Sequence, residues 1–331
     1  MKHARLDLAR RAELLPVLDG TIAVFGPIAL ERVSGLNTSY LRCVSDMFTV
    51  NEALKSAGIS VTRALDEACA HALVLLPRSK SEIWQLISAA IAAAPEGWII
   101  VDGQKTDGIE SVAKQITRLV SGVESYSKGH GKTLWFKGGN AQDLLQPVVT
   151  EEKNKGGYLT SPGVFSADDI DPASELLMQH IPTSLSGHVA DLGAGWGYLS
   201  DRALSENPSI ETLHLVEDNA AALECARANV EDPRAEFHWA DVLNWRQSKL
   251  FDAILMNPPF HTSRIAEPQI GINFVRAAAS LLRPGGKLFL VANAHLPYET
   301  TIEQSFEKYD LIVRTNRFKV FCATRGRAKL G

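Results

Sequence analysis
From residue 188 onward the chain alternates short apolar runs with stretches of helical spacing. His188-Val189-Ala190-Asp191-Leu192 predicts a first strand and residues 212–217 a second, with about four turns of helix between them. Residues 236–239 predict a third strand and 251–256 a fourth; a fifth, 287–292, follows the turn Arg283-Pro284-Gly285-Gly286, and 271–282 carries helical spacing. Signals in that order are those of an α/β doubly wound, mostly parallel sheet. The last two runs, 309–313 and 318–323, predict a hairpin, so the sheet is expected to end in an antiparallel pair.

The first half repeats this plan. Ala72-Leu73-Val74-Leu75-Leu76-Pro77 parallels Ala253-Ile254-Leu255-Met256-Asn257-Pro258, and Ala94-Pro95-Glu96-Gly97 precedes Trp98-Ile99-Ile100-Val101 as the later turn precedes the fifth strand. Lys132-Thr133-Leu134-Trp135-Phe136 answers Lys319-Val320-Phe321-Cys322-Ala323. The matched pieces lie roughly 180 to 190 residues apart, as a diverged duplication would leave them, chance likeness of short α/β elements being the rival account. Two Rossmann-like domains in tandem are expected, 1–150 and 156–331, joined by the polar, glycine-rich Thr150-Glu151-Glu152-Lys153-Asn154-Lys155-Gly156-Gly157. In the first copy Leu76 replaces Asn257, and no Asp-x-Gly-x-Gly-x-Gly occurs near Val24-Phe25-Gly26-Pro27. That half is expected to be degenerate and non-catalytic.

A length of 331 residues with 45% apolar content suffices for two cores. Cys43, Cys69, Cys225 and Cys322 are widely separated, with no Cys-x-x-Cys and no neighbouring His at ligand spacing, so neither a disulfide framework nor a metal site is expected. The N-terminal segment lacks the apolar core of a signal peptide, and the most apolar helical stretch, 83–94, stops at Pro95, short of the roughly 20 residues a membrane span needs. A cytoplasmic protein without a membrane partner is expected. The net charge of −4 does not advertise a nucleic-acid binder. From Arg314 onward, however, Arg314, Arg317, Lys319, Arg325, Arg327 and Lys329 occur without an acidic residue, forming either a solvated terminus or an edge that meets phosphates.

Two motifs carry chemistry. Asp191-Leu192-Gly193-Ala194-Gly195-Trp196-Gly197 follows the first strand and opens a helix, its glycines letting the backbone turn tightly and approach a ligand. The anion two positions before the first glycine would repel a pyrophosphate and attract an ammonium, which fits the amino-acid end of S-adenosylmethionine. Glu217, ending the second strand, is placed to accept both ribose hydroxyls, and Asp241, after the third, to accept from the adenine amine; each taken singly also reads as a solvated strand-end carboxylate. Asn257-Pro258-Pro259-Phe260 follows the fourth strand. It reads either as a turn or as a device for a planar amine, with the Asn257 amide oxygen and the Pro258 carbonyl as acceptors and Phe260 as a stacking platform.

With these residues in place the chain resembles the class I S-adenosylmethionine-dependent methyltransferases. More narrowly it is similar to the bacterial ribosomal RNA guanine amine methyltransferases of the ribosomal RNA small subunit methyltransferase C family. The resemblance rests on Pro162-Gly163-Val164-Phe165-Ser166, residues 191–197, Asn257-Pro258-Pro259-Phe260-His261, Val291-Ala292-Asn293-Ala294-His295-Leu296-Pro297-Tyr298 and Arg317-Phe318-Lys319-Val320. In the first half it continues through Leu76-Pro77-Arg78-Ser79-Lys80 and Gly103-Gln104-Lys105-Thr106-Asp107-Gly108-Ile109. It implies methyl transfer to the exocyclic amine of a guanine in 16S ribosomal RNA within the small subunit, with the base flipped onto Asn257, Pro258, Pro259 and Phe260. S-adenosylmethionine would be held by Asp191, Gly193, Gly195, Gly197, Glu217, Asp241 and Asn257, and RNA by Phe260, His261, Arg317 and Lys319. His261 would touch substrate, carry off a proton or merely cap the next segment, and the first half would serve RNA recognition or stability. The sequence departs from the family at Ala194, where Cys is frequent, and at Pro172, which replaces Gly and is expected to shift the loop carrying Phe165.

Overall fold
The computed structural model describes residues 5–33, 35–147, 152–259 and 268–326. The chain divides into two compact units, Met1–Thr150 and Glu151–Gly331. In the first, β1 (Ile22–Phe25), β2 (Leu41–Val44), β3 (Ser60–Thr62), β4 (His71–Leu75), β5 (Trp98–Gln104), β6 (Glu124–Lys128) and β7 (Gly131–Lys137) form one sheet, ordered β3-β2-β1-β4-β5-β7-β6. The second begins with a small hairpin, β8 (Glu152–Lys153) and β9 (Leu159–Thr160). Its main sheet comprises β10 (Gly187–Leu192), β11 (Ile210–Glu217), β12 (Ala235–Trp239), β13 (Phe251–Met256), β14 (Leu282–Asn293), β15 (Lys308–Arg314) and β16 (Phe318–Thr324), ordered β12-β11-β10-β13-β14-β16-β15. Counted from its own first strand, each sheet runs 3-2-1-4-5-7-6. In each, the first five strands are parallel and the hairpin joins antiparallel, β7 beside β5 and β16 beside β14. Two sheets with one shared order and one shared antiparallel ending support duplication over chance likeness of short elements.

The central strands are apolar at consecutive positions because both sheet faces are covered. On one face of the second sheet Val189, Leu255, Phe289 and Val291 pack with Leu199 and Leu204 of the helix Tyr198–Glu206. On the other, Ala190, Leu192, Ile254 and Met256 pack with Val275 and Leu281 of the helix Pro268–Leu281. Asp191 lies between these layers and is 0% exposed, a placement that costs stability and needs a reason outside packing.

Two expectations are corrected. The stretch read as a linker pairs as β8 with β9, and Asn154 closes the turn by accepting from the Tyr158 N–H at 3.1 Å. Polar and glycine-rich composition is equally that of a tight turn, here with Gly157 at φ 84°. The turn at 283–286 lies within β14 as a bulge, where pairing with β13 jumps from Phe251 opposite Leu282 to Ala253 opposite Lys287. Among the described residues no helix is long and apolar enough to cross a membrane.

In the first unit the positions that matter later are filled. Leu76 is 1% exposed, and a Cβ on Gly103 would stand 2.7 Å from its Cδ1. Behind it Asp102 Oδ1 accepts from Arg5 Nε at 2.9 Å and from Thr133 Oγ1 at 2.7 Å, so a buried polar network occupies the sheet's carboxyl edge.

Candidate functional site
The order of the second sheet reverses between β10 and β13, which lie side by side. The loop 193–197 leaves β10 and the Asn257-Pro258-Pro259 turn leaves β13, so the two motifs meet at the carboxyl edge of the switch point, where open α/β sheets bind ligands. Between them lies a cleft whose wall includes Phe165, Asp171, Ser174, Gly193, Gly195 and Asn257.

The loop's glycines have separate reasons. At Gly197, φ 92°, a Cβ would stand 2.9 Å from Val230 Cγ2, so glycine lets the loop pack on the helix Ala220–Asn229. At Gly195, φ 55°, a Cβ would meet no protein atom within 4 Å, so this backbone faces open space. Asn229, which no motif announced, pins the loop by donating to the Trp196 carbonyl at 2.9 Å, and accepts from the Leu159 N–H at 2.8 Å.

Asp191 lies beneath the loop and does not line the cleft. Its Oδ2 accepts from Ser200 Oγ at 2.7 Å, while the buried Oδ1 has no partner. Burial pushes the carboxyl up to about 7; the Ser200 hydroxyl opposes this and the charge of Glu217 adds to it. Glu217 folds over the loop, Oε2 accepting from the Gly195 N–H at 2.8 Å and Oε1 from the Asn219 N–H at 2.9 Å. Burial raises its pKa despite those two bonds. Asp241 also makes local contacts, Oδ1 with the Leu243 N–H at 2.9 Å and Oδ2 with Asn244 Nδ2 at 2.6 Å. Glu217 and Asp241 sit at the ends of adjacent strands, and each of their oxygens keeps a second lone pair for a ligand.

These residues fit S-adenosylmethionine. The unpartnered Asp191 Oδ1 is a buried acceptor behind the loop that a nearby cation would draw into its ionised form, the open space at Gly195 admits a ligand against backbone, and Glu217 presents two acceptors beside it.

Asn257 is more constrained than its motif suggests. Its Nδ2 donates to Asp171 Oδ2 and to Ser174 Oγ, both at 2.8 Å, leaving the amide oxygen to accept from a bound group. Asp171 also accepts from the Ser174 N–H at 2.9 Å as N-cap of the helix Pro172–Met178, with Pro172 in its favoured place in the first turn. The expected shift of the Phe165 loop does not remove Phe165 from the cleft: it is 57% exposed, and its carbonyl accepts from Trp196 Nε1 at 2.9 Å. Sequence reasoning missed Asp171 and Ser174 as partners of Asn257. Phe260 and His261 lie outside the described residues.

The basic edge is smaller than its sequence. Lys319, expected to touch RNA, is 3% exposed; its Nζ donates to the Leu296 carbonyl at 2.8 Å and to Glu299 Oε1 at 2.6 Å. It is a buried tie between β16 and the segment after β14. Arg317 is exposed beside it, its guanidinium 4.9 Å from the Phe318 ring centroid. Arg325 donates to the Ser305 carbonyl at 2.8 Å, and Arg327 and Lys329 lie outside the described residues.

One polar cluster escapes linear spacing. His214 on β11 and Glu236 and His238 on β12 bring three ligand-type atoms within 4.8 Å of one another, as adjacent strands allow. The two imidazoles satisfy each other through a 2.9 Å hydrogen bond, and burial lowers the pKa of both.

A 3-2-1-4-5-7-6 sheet with a glycine loop after its first strand and Asn-Pro-Pro after its fourth defines a class I S-adenosylmethionine-dependent methyltransferase. Consistent with that class, the model of the methyltransferase small domain family matches residues 156–322. Ribosomal RNA small subunit methyltransferase C of Photorhabdus laumondii is 31% identical, over 81% of this chain and 80% of its own length. The protein of that name from Escherichia coli K12 is also 31% identical, over 83% and 82%. The chain belongs to the ribosomal RNA small subunit methyltransferase C family. The solved T. thermophilus 16S rRNA N2 G1207 methyltransferase, in complex with AdoMet and guanosine, superposes with a TM-score of 0.80 at 24% identity, covering 98% of this chain and 93% of that one, and so has the same fold throughout.

Proposed function
We propose that this protein transfers a methyl group from S-adenosylmethionine to the exocyclic amine of a guanine in 16S ribosomal RNA of the small subunit. The observation that carries the reading is the cleft itself: one wall is the glycine loop and the other is an Asn257 amide whose nitrogen is tied back and whose oxygen is left to accept. When bound, S-adenosylmethionine supplies a methyl group already activated on a sulfonium. The protein's task is therefore alignment and exclusion of water.

A guanine amine delocalises its lone pair into the ring. Acceptors at Asn257 Oδ1 and the Pro258 carbonyl bind its two N–H groups and favour a tetrahedral nitrogen, which frees the lone pair for the incoming methyl. Transfer would leave S-adenosylhomocysteine and a positively charged methylated amine, which would then pass one N–H proton to solvent. The base would be unstacked from the RNA to reach this cleft, with Phe260 as its stacking platform. Glu217 and Asp241 would hold the nucleoside end of the cofactor and Asp191, from beneath the loop, would attract its ammonium without touching it, while Arg317 and the first unit would supply the RNA grip.

Tritiated methyl transfer from S-adenosylmethionine to purified small subunits and to naked 16S RNA, followed by nucleoside analysis, tests the proposal. N2-methylguanosine is expected. Label in adenosine or in protein glutamine would overturn the guanine assignment, and S-adenosylmethionine binding without transfer to either substrate would mark an assembly factor.

A further inference from the structure
An asparagine amide presents its oxygen or its NH2 in nearly the same space, so an amine acceptor made from asparagine works only if something fixes which end faces the substrate. In this cleft the fixing groups come from a segment 86 residues earlier: Asp171 Oδ2 and Ser174 Oγ each accept from Asn257 Nδ2 at 2.8 Å. A carboxylate cannot donate, so Asp171 admits only the nitrogen end on its side. The carboxylate is itself immobilised, because the same Oδ2 accepts from the Ser174 N–H at 2.9 Å at the start of a helix whose Leu177 and Met178 are buried in the core. With the amide reversed, its NH2 would meet the amine donor to donor.

We propose that Asp171 is the positioning residue that sets the Asn257 amide with its oxygen toward the acceptor amine, Ser174 Oγ being the second anchor. The inference deepens the amine methyl transfer proposed above and rests on it. A cap alone does not explain the arrangement, since an N-cap needs an acceptor for Ser174 N–H but not an Asn257 amide nitrogen seated on that same oxygen.

The test removes the shared oxygen and then restores it. Asp171→Gly leaves a tolerated N-cap but no acceptor for Asn257 Nδ2, so kcat should fall about tenfold to hundredfold while cofactor Kd and melting temperature change little. Asp171→Asn, whose amide oxygen is held in the Oδ2 place by the Ser174 N–H, should keep kcat within about threefold of wild type. Independently of any substrate, the side-chain NH2 resonances of Asn257, assigned by their loss in Asn257→Asp, should shift in Asp171→Gly. Wild-type kcat in Asp171→Gly, an equal loss in Asp171→Asn, or unchanged amide resonances each overturns the inference. A wild-type protein that methylates no guanine amine overturns the proposed function instead, and the resonances then decide the amide's orientation by themselves.

Discussion

Replacing Asp191 by Asn should shift the protein's stability in a way that depends on pH while weakening its grip on the cofactor. The carboxyl is fully buried with one oxygen unpartnered, and its pKa stands at about 7 against an ordinary 3.8. Because the folded-state value is raised, the folded protein holds a proton that the unfolded chain has lost. Stability is therefore full below 3.8, falls as pH rises and levels off above 7, at a cost of about 4 kcal/mol. Asn removes the charge but still buries a neutral amide, at about 1–3 kcal/mol, so a net gain of about 2 kcal/mol is expected at pH 8 and a net loss of about 2 kcal/mol near pH 4. That corresponds to about 4–8 °C in melting temperature for a domain of this size. The cofactor's ammonium should pull Asp191 to its ionised form, so binding at pH 7 should release about half a proton, measurable by calorimetry in buffers of different ionisation enthalpy. In the Asp191→Asn variant that release should vanish and affinity should fall about tenfold or more. A melting difference between the two proteins that does not vary from pH 4 to 8, together with no proton release, would refute the reasoning.

Asn257→Ala should lower kcat by about a hundredfold to a thousandfold while cofactor Kd, read by titration, stays nearly unchanged, because the oxygen removed is the one proposed to meet the acceptor amine. Lys319→Ala should cost about 3 kcal/mol in urea melts by leaving Glu299 unpaired, with the salt dependence of RNA binding unaltered. Arg317→Ala should do the reverse, leaving stability alone and reducing the slope of log K against log salt by about 1. His214 and His238 are held neutral by burial with lowered pKa values, so the stability this gives is present above the ordinary 6.5 and lost as pH falls below it. His238→Gln should flatten the thermal-melt profile between pH 6.5 and 5, and an unchanged acid limb would remove the pair from that role.

Much of the architecture was legible because covered parallel strands declare themselves as uninterrupted apolar runs, and a glycine loop or a double proline marks where such a run stops. Asp191 and Asn257 could be singled out because each is polar at a position where the run demands otherwise. What lay beyond the sequence was pairing across distance. Nothing near Asp171 says that it meets Asn257, and nothing in the spacing of His214 and His238 says that neighbouring strands will join them. Lys319 was misjudged by counting charge instead of neighbours: Val320 and Phe321 beside it belong to a strand buried on both faces, which was the available sign that its amine had turned inward.

The packing of Leu76 against Gly103 has a consequence in evolutionary time. Placing asparagine there would put an amide where a fully enclosed isobutyl group now sits, and a cavity and unmet hydrogen bonds together destabilise by about 2–5 kcal/mol. That is a large share of the stability of an ordinary domain. An asparagine at the end of this unit's fourth strand is therefore a change that selection for folding removes, so the packing of one leucine is a ratchet that holds the position apolar.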